Sequence, residues 1–451
     1  MCLEERTADS VKHSIRFGKR RKEFTVVDLQ SLICIASAVF MPGKKAVRKW
    51  GNMNRKAIFL LIGLFLLTVC SCGTQNNKGV EEWEDQFYFG HGTTVNICSD
   101  ENYYYTAVSG RVAAASKDSL DFLIICNKPD CFHNDDTCTA YLNMGGVWNA
   151  GGQMYVLKTN YDRDARLTDL TRISVEDGVS TKIATLMQKR LDESGNSVVG
   201  LNEFMIHKGY AYYVIDSGAD SGEEKATVYR VRLKENAEPE ALFEVEARIA
   251  GCKLIGKGDR VYILALKGGK SGALGTIMSE LYEYSVSDGT LNRINCVDEV
   301  NANSFYIHGG DFIYETLTGK EIRCISLETG EERLIAATQT NLSGGIYAND
   351  SYIFDWRFAR IDETGETGAG EAYAVWLYTY EGELAAKINL PTQNESFFAG
   401  YPLGADEGHM FLYEATGGAG DEGENSKIIH HIWTYDLTDL ESGAWEDHII
   451  E

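Results

Sequence analysis

The sequence has no apolar run long enough to cross a bilayer comfortably as a helix. Its main apolar run, residues 57–67, has 11 residues, whereas a transmembrane helix needs about 20. Proline is also scarce, at 5 residues against 45 glycines and 24 tyrosines. Tyrosine-rich segments punctuated by glycine are typical of many short β-strands joined by turns. The composition therefore predicts a folded, all-β protein rather than a disordered chain.

Basic residues are scarce relative to acidic ones beyond the N-terminal region. The chain holds 43 Lys and Arg and 66 Asp and Glu; residues 1–71 contain 13 and 5 of these, so residues 72–451 carry 30 basic and 61 acidic side chains, a net charge of −31. Such a surface repels nucleic acid and anionic lipid headgroups. We expect no nucleic-acid partner, and cationic groups or divalent metals would be attracted.

Common catalytic and nucleotide-binding patterns are missing too. The sequence contains no H-E-x-x-H, no G-x-S-x-G and no G-x-G-x-x-G after a strand. These patterns would have indicated a zinc peptidase, a serine hydrolase or a dinucleotide-binding enzyme, respectively. Their absence favours a function that does not depend on catalysis.

What is present near the N-terminus has the three parts of a secretory signal. A basic segment, residues 53–56, precedes the apolar run, and small residues follow. A small residue, Ser71, precedes Cys72, whereas a bulky valine precedes Cys70. The segment resembles bacterial lipoprotein signals, in which the cysteine is acylated, for example with palmitate, and becomes the first mature residue. We predict a signal peptide at 53–71 and lipidation of Cys72, with an uncleaved anchor as the alternative.

The rest of the N-terminal region is assigned around this signal. Because a signal peptide should begin the chain, Met53 is the expected start, and residues 1–52 are an upstream mis-start or a disordered extension. Residues 72–90 read as a polar tether, and residues 91–451 as the folded domain. The predicted location is the extracytoplasmic face of the cell membrane, to which the lipid on Cys72 attaches the chain.

A repeat runs through the folded domain. Seven times a turn residue is followed, three positions later, by an aromatic residue within a β-rich run. The pairs are Asn102/Tyr105, Gly152/Tyr155, Gly209/Tyr212, Asp259/Tyr262, Asp311/Tyr314, Ser351/Phe354 and Gly408/Phe411. Hairpins follow several of them, with tips such as Asp-Gly, Thr-Gly and Glu-Gly that supply the positive φ a tight turn needs.

The aromatic residues of successive repeats lie 40 to 57 residues apart. Repeats of this length with four strands each predict a seven-bladed β-propeller made of four-stranded antiparallel blades. The repeats resemble the TolB and quinoprotein types of propeller, in which D-x-x-T-G-x leads into the outermost strand. WD dipeptides, kelch spacing and Asp-box motifs are missing. A β-sandwich, or two smaller β-domains, is the alternative.

Propeller topology also predicts where long connections emerge. In a blade of four antiparallel strands, the connections from the second to the third strand share one face with those between blades. Four long segments fall on that face: residues 216–226, 267–279, 361–372 and 416–426. Long loops on a compact scaffold are often functional. Their carboxylates, as in residues 216–224, could bind Ca²⁺, although the order of an EF-hand loop is absent.

The most distinctive local segment is CNKPDCFHNDDTC at residues 126–138, with the form C-x4-C-x-H-x4-C. Cys126, Cys131, His133 and Cys138 could bind zinc or iron as soft ligands. Export also favours a disulfide between two of the thiols. The segment resembles that of uncharacterised propeller-type lipoproteins of Gram-positive anaerobes, in which C-x-K-P-x-C-x-H follows the first blade; this family implies no function.

A second set of candidates lies at strand ends near the loop face. Aromatic faces beside carboxylates and amides suit sugars or extended peptides, and packing between blades is the alternative for the tryptophans. The candidates are Trp148, Asn202, Glu203, Asn303, Asp355, Trp356 and Arg357.

Two classes of function follow from the sequence. We expect a non-catalytic module that binds a glycan, peptide or protein partner at the membrane exterior. The alternative is an extracytoplasmic enzyme acting on glycans, or a metal or redox protein that uses the Cys/His segment. Paired carboxylates at the mouth of the central channel would favour the enzyme.

Overall fold

The computed structural model describes residues 97–450, with gaps. The gaps are residues 127, 129, 135–137, 143–144, 163–164, 175–177, 191–199, 218–224, 248–251, 268–277, 299, 339–342, 359–373, 392–400, 417–427 and 442. Residues 1–96, with the predicted signal peptide, Cys72 and tether, lie outside the described residues. Within the described part of the chain there is no helix with the length and hydropathy needed to cross a membrane.

The described residues contain 28 strands, four to a sheet. Blade 1 contains β1 (Ile97–Ser99), β2 (Tyr103–Val108), β3 (Arg111–Ser116) and β4 (Leu123–Ile124). Blade 2 contains β5 (Val147–Ala150), β6 (Gln153–Asp162), β7 (Ala165–Ile173) and β8 (Ser180–Arg190). Blade 3 contains β9 (Gly200–His207), β10 (Tyr210–Ser217), β11 (Lys225–Arg232) and β12 (Glu240–Glu246). Blade 4 contains β13 (Cys252–Lys257), β14 (Arg260–Lys267), β15 (Met278–Ser285) and β16 (Leu291–Asp298).

The remaining three blades repeat this arrangement. Blade 5 contains β17 (Val300–His308), β18 (Asp311–Thr316), β19 (Glu321–Ser326) and β20 (Glu332–Ala337). Blade 6 contains β21 (Ser343–Ala348), β22 (Ile353–Phe358), β23 (Ala374–Tyr378) and β24 (Leu384–Asn389). Blade 7 contains β25 (Tyr401–Ala405), β26 (His409–Thr416), β27 (Ile429–Asp436) and β28 (Trp445–Ile450).

These sheets form the predicted seven-bladed β-propeller. Each sheet consists of four consecutive antiparallel strands in sequence order. From blade 1 to blade 6 the first strands of successive blades contact one another, so the first strand of a blade is the innermost. The seven aromatic residues of the sequence repeat all lie in the second strand of their blade. The spacing of the repeat therefore identified one equivalent position in every blade.

Side chains two positions before the turn residue of the repeat pattern close several of the turns. In three blades an Asx side chain closes the first turn: Asp100 Oδ1 accepts the backbone N–H groups of Asn102 and Tyr103 at 2.8 Å, and Asn349 and Asp406 accept equivalent bonds. The predicted hairpin-tip glycines have positive φ, as at Gly330 (74°). Side chains at these positions would be strained, so glycine specifies the turn.

The core consists of seven apolar layers, one between each pair of neighbouring blades. The layer between blades 1 and 2, for example, joins Tyr105 and Val112 to Met154 and Val156. Six layers join blades that are consecutive in sequence. The seventh joins blade 7 to blade 1 and closes the ring.

Within the described residues side chains close the ring, because the four strands of blade 7 and those of blade 1 come from opposite ends of the domain. Tyr104 and Phe411 meet with ring centroids 4.7 Å apart, and Leu403 and Ile432 belong to the same buried layer. The Tyr104 hydroxyl also donates a hydrogen bond to Asp406 Oδ2 at 2.5 Å. No strand is shared between the two blades among the described residues, so this layer must hold the ring closed.

We predict that Phe411→Ala lowers the free energy of unfolding by about 3–5 kcal/mol, because it opens a cavity in the layer that closes the ring. Phe411 is 1% exposed, whereas Phe132 is 84% exposed. The matched control Phe132→Ala should change stability by less than about 0.5 kcal/mol. Urea unfolding of the two variants checks this. Equal losses would contradict the packing described for Phe411.

Candidate metal centre and predicted ligand residues

The Cys/His segment lies in the connection between blade 1 and blade 2. The outermost strand of blade 1, β4, has only two residues. After the segment the chain returns to blade 1: Val112 N donates to Ala140 O at 2.9 Å, and Leu142 N donates to Gly110 O at 2.8 Å. The returning residues thus pair with the start of β3, which β4 is too short to cover. The Cys/His segment is an excursion from the outer edge of blade 1.

The four predicted ligands converge in space. One ligand atom from each of Cys126, Cys131, His133 and Cys138 can be chosen so that all lie within 4.8 Å of one another. The Sγ atoms of Cys126 and Cys138 are 3.7 Å apart, and His133 Nδ1 is 3.3 Å from Cys138 Sγ. A Cys/His group that could hold a metal is therefore present.

The cysteines of this structure are free thiols wherever they are described. The 3.7 Å between Cys126 and Cys138 exceeds the roughly 2.05 Å of a disulfide bond, so the disulfide alternative is not the state described. Cys252 and Cys324 are each 1% exposed, which is common for a free cysteine, since it packs as a small apolar side chain.

The four groups differ in their electrostatic surroundings. Burial raises the pKa of the Cys138 thiol to about 11. A backbone hydrogen bond from His133 is the main cause that lowers the pKa of Cys131, and the charge of Lys128 adds to it. Burial, followed by the charge of Arg111, lowers the pKa of His133. A neutral imidazole is the form of histidine that binds metals.

Two residues that the sequence did not single out support the segment. Arg111 Nε donates a hydrogen bond to the His133 carbonyl at 3.2 Å. Thr139 Oγ1 donates to Gly178 O at 3.0 Å, in the turn between β7 and β8 of blade 2. Neither residue belongs to a ligand pattern, so only the fold could reveal them.

The structure does not bring the second set of candidates together in an open site. Trp148 is 1% exposed and meets Phe204 of blade 3 with ring centroids 4.4 Å apart. Trp356 is 2% exposed in the layer between blades 6 and 7. Packing between blades, the alternative reading of these tryptophans, describes both. Asn202 and Asn303 lie on β9 and β17, but their side chains lie outside the described residues.

The charged candidates are buried in ion pairs. Glu203 Oε2 is 3.4 Å from Lys253 Nζ, on the innermost strands of blades 3 and 4. Arg357 Nη1 is 2.7 Å from Glu315 Oε1, and Arg357 Nη2 is 2.5 Å from Asp355 Oδ1, and all three side chains are at most 1% exposed. Their positions give no support to a role in ligand contact. The partners Glu315 and Lys253 were not predicted.

Two buried carboxylates, those of Glu315 and Asp355, share the guanidinium group of Arg357. Burial raises the pKa of Asp355 to about 6; Arg357 opposes this rise, and Glu315 adds to it. Asn301 Nδ2 donates a hydrogen bond to Glu315 Oε2 at 2.7 Å, so amide, guanidinium and carboxylates form one internal network between blades 5 and 6. A network of this kind fixes how the two blades pack.

Comparison with known proteins gives matches at the level of structure only. No family model and no curated protein matches the sequence. Solved propellers that resemble the chain include the β-propeller domain of the trilobed protease from Pyrococcus furiosus, described as having an open velcro topology (12% identity, TM-score 0.39, 79% of this chain and 97% of that one). TolB from Acinetobacter baumannii is 11% identical (TM-score 0.32, 64% and 67%).

An oligogalacturonate lyase in complex with manganese is similar at 8% identity (TM-score 0.37, 64% of this chain and 74% of that one). With every one of these TM-scores below 0.5, none of the similarities carries an argument about function. The seven sheets themselves establish the fold.

We predict that Asp355→Asn flattens the pH dependence of stability between pH 4 and pH 6. Because the pKa of Asp355 is higher in the folded chain than its usual 3.8, its contribution to stability is present below pH 4 and is lost as the pH rises to about 6. The loss is on the order of 2–3 kcal/mol. Urea unfolding at several pH values measures it. An unchanged pH profile in the variant would contradict the buried position of Asp355.

Proposed function

We propose that the chain is a lipid-anchored extracytoplasmic propeller that binds a glycan, peptide or protein partner without transforming it. The anchor rests on the signal pattern that ends at Cys72. The binding role rests on one observation about the propeller, the unequal lengths of the connections on its two faces.

On one face every connection is short. This face carries the turns between first and second strands and those between third and fourth strands. The longest of them is residues 437–444. The other face carries the connections that are longer than any of these: residues 125–146, 191–199, 268–277, 359–373, 390–400 and 417–428. We call it the loop face. Long connections concentrated on one side of a rigid scaffold are where binding proteins commonly place their contact residues.

The charge of the domain limits the kind of partner. Residues 72–451 carry a net charge of −31, and the connections 359–373 and 417–428 contain more acidic than basic residues. A neutral glycan or a neutral to cationic peptide or protein segment suits such a face, and a nucleic acid does not. Ca²⁺ bound by carboxylates of these connections could take part in binding the partner.

An enzyme acting on glycans is less well supported. Hydrolysis of a glycosidic bond commonly uses two carboxyl groups that both reach the substrate. Glu315 and Asp355 form a carboxylate pair around Arg357, but both are 0% exposed. Substrate cannot reach them in this packing, so the pair serves the fold.

A metal-dependent function is the second candidate, and the convergence of the Cys/His group favours it. Three thiols and an imidazole suit zinc, or iron as the alternative. If the metal were iron, a redox function would follow; if zinc, a structural one.

We predict that Cys72→Ser moves the protein from the membrane fraction to the soluble fraction and abolishes incorporation of a palmitate analogue, because the thiol that accepts the lipid is lost. Cys70→Ser is the matched control and should keep both properties. Membrane fractionation with metabolic labelling measures the effect. If Cys70→Ser lost the label and Cys72→Ser kept it, the lipid would be on Cys70, and the assignment of the anchor to Cys72 would be wrong.

We predict that a short turn in place of residues 359–373 weakens binding at least about tenfold, a loss typical of removing a main contact in an interface. The probes are a panel of neutral polysaccharides and unfolded cationic peptides, with duplex DNA as the negative probe. A variant with Glu328→Ala and Glu331→Ala, both exposed in the turn between β19 and β20 on the opposite face, is the control. If both variants bind equally well, the loop face is not the binding surface.

A further inference from the structure

We propose that Cys126, Cys131, His133 and Cys138 bind one zinc ion in a closed tetrahedral site, and that this ion completes the edge of blade 1. The inference deepens the second candidate function by naming the metal and its role, and it does not depend on the binding function. It rests on the geometry of the four side chains and on the place of the segment in blade 1.

The distances between ligand atoms fit a tetrahedral zinc site. With Zn–S bonds of about 2.3 Å, two thiolates on one zinc ion lie about 3.8 Å apart, and a thiolate and an imidazole nitrogen lie about 3.5 Å apart. Cys126 and Cys138 have their sulfurs 3.7 Å apart, and His133 Nδ1 lies 3.3 Å from the sulfur of Cys138. These two separations match those of a tetrahedral zinc site, and all four ligand atoms lie within 4.8 Å of one another.

The ligand set favours zinc over iron and a structural role over a catalytic one. Three thiolates and one imidazole fill the four positions of a structural zinc site, whereas a catalytic site commonly has three protein ligands and one open position. Iron–sulfur clusters are usually held by four thiolates. Three thiolates around Zn²⁺ leave one excess negative charge, and Arg111 lies alongside through its bond to the His133 carbonyl.

The backbone of the segment needs a constraint that its apolar contacts do not supply. Asp130 and His133 have φ of 58° and 53°, and such left-handed conformations are unfavourable for residues other than glycine. Phe132 between them is 84% exposed. Conformations of this kind persist where other bonds fix them, and four metal–ligand bonds would do so.

The segment matters because it completes blade 1. Its fourth strand, β4, ends at Ile124, and the outer edge of β3 is continued by the returning residues, through the hydrogen bond from Val112 N to Ala140 O. Cys138 lies directly before these residues. An ion that joins Cys126, at the exit from blade 1, to Cys138, at the return, holds both ends of the excursion together.

The same residues connect blade 1 to blade 2. Leu142 belongs to the apolar layer between the two blades, and Thr139 is hydrogen-bonded to Gly178 of blade 2. Fixing Cys138 therefore also fixes the start of a contact between blades. Loss of the ion should loosen this edge before the rest of the ring.

The test is metal analysis of the chain purified without reducing agent or added metal, together with its intact mass. We expect one zinc per chain. Cys131→Ala and His133→Asn should each lose it and unfold at a lower temperature. Cys324→Ala and His430→Asn are the matched controls and should keep it, because Cys324 and His430 lie in β19 and β27, outside the cluster.

Three results would overturn the proposal. One is a wild-type chain without metal whose mass is two hydrogens below that of the reduced chain, which indicates a disulfide. Another is stoichiometric iron in place of zinc. The third is zinc retained in both ligand variants. If Cys131→Ala fails to fold, the His133→Asn variant and the zinc content of the wild-type chain still decide the question.

Discussion

The fold depends on one layer of side chains, the contact between blade 7 and blade 1. Each blade is built from four consecutive strands, so no backbone hydrogen bond between shared strands joins the ends of the domain within the described residues. Tyr104, Phe411 and Ile432 must do this by packing. Such a contact joins residues about as far apart in sequence as the domain allows, and its closure costs conformational entropy. The packing of this layer can therefore offset the entropy cost of ring closure only when both blades are well formed.

Blade 1 is the weaker of the two partners. Its first strand has three residues and its fourth has two, and the hydrogen bonds from Val112 to Ala140 and from Leu142 to Gly110 complete its edge. The Cys/His group lies just before these residues. A zinc ion there would stabilise the blade that the ring closure requires, and the propeller would present its loop face as one rigid unit.

Much of the fold was accessible from the sequence because the repeat marks backbone requirements. The aromatic of each unit lies in the second strand, where one side faces an apolar layer, and glycines such as Gly330 mark turns with positive φ. Spacing could not tell which polar residues of the strands meet across blades. Glu315 and Arg357 lie 42 positions apart in different blades, and only the packing of blade 5 on blade 6 makes them partners. Asp355 and Trp356 were predicted to contact a ligand because the sequence does not show that both are buried between blades. The Cys/His group was visible because its members lie within 13 residues, while Arg111 and Thr139 required the fold.

The most direct test of this account is amide hydrogen exchange of the chain with zinc bound and after removal of zinc by a chelator. The account predicts faster exchange, by about tenfold or more, at residues 111–115 and 138–142, with smaller changes in blades 3 to 6, because local opening precedes global unfolding. Equal exchange with and without zinc, or a change spread evenly over all seven blades, would contradict the claim that a metal ion completes blade 1.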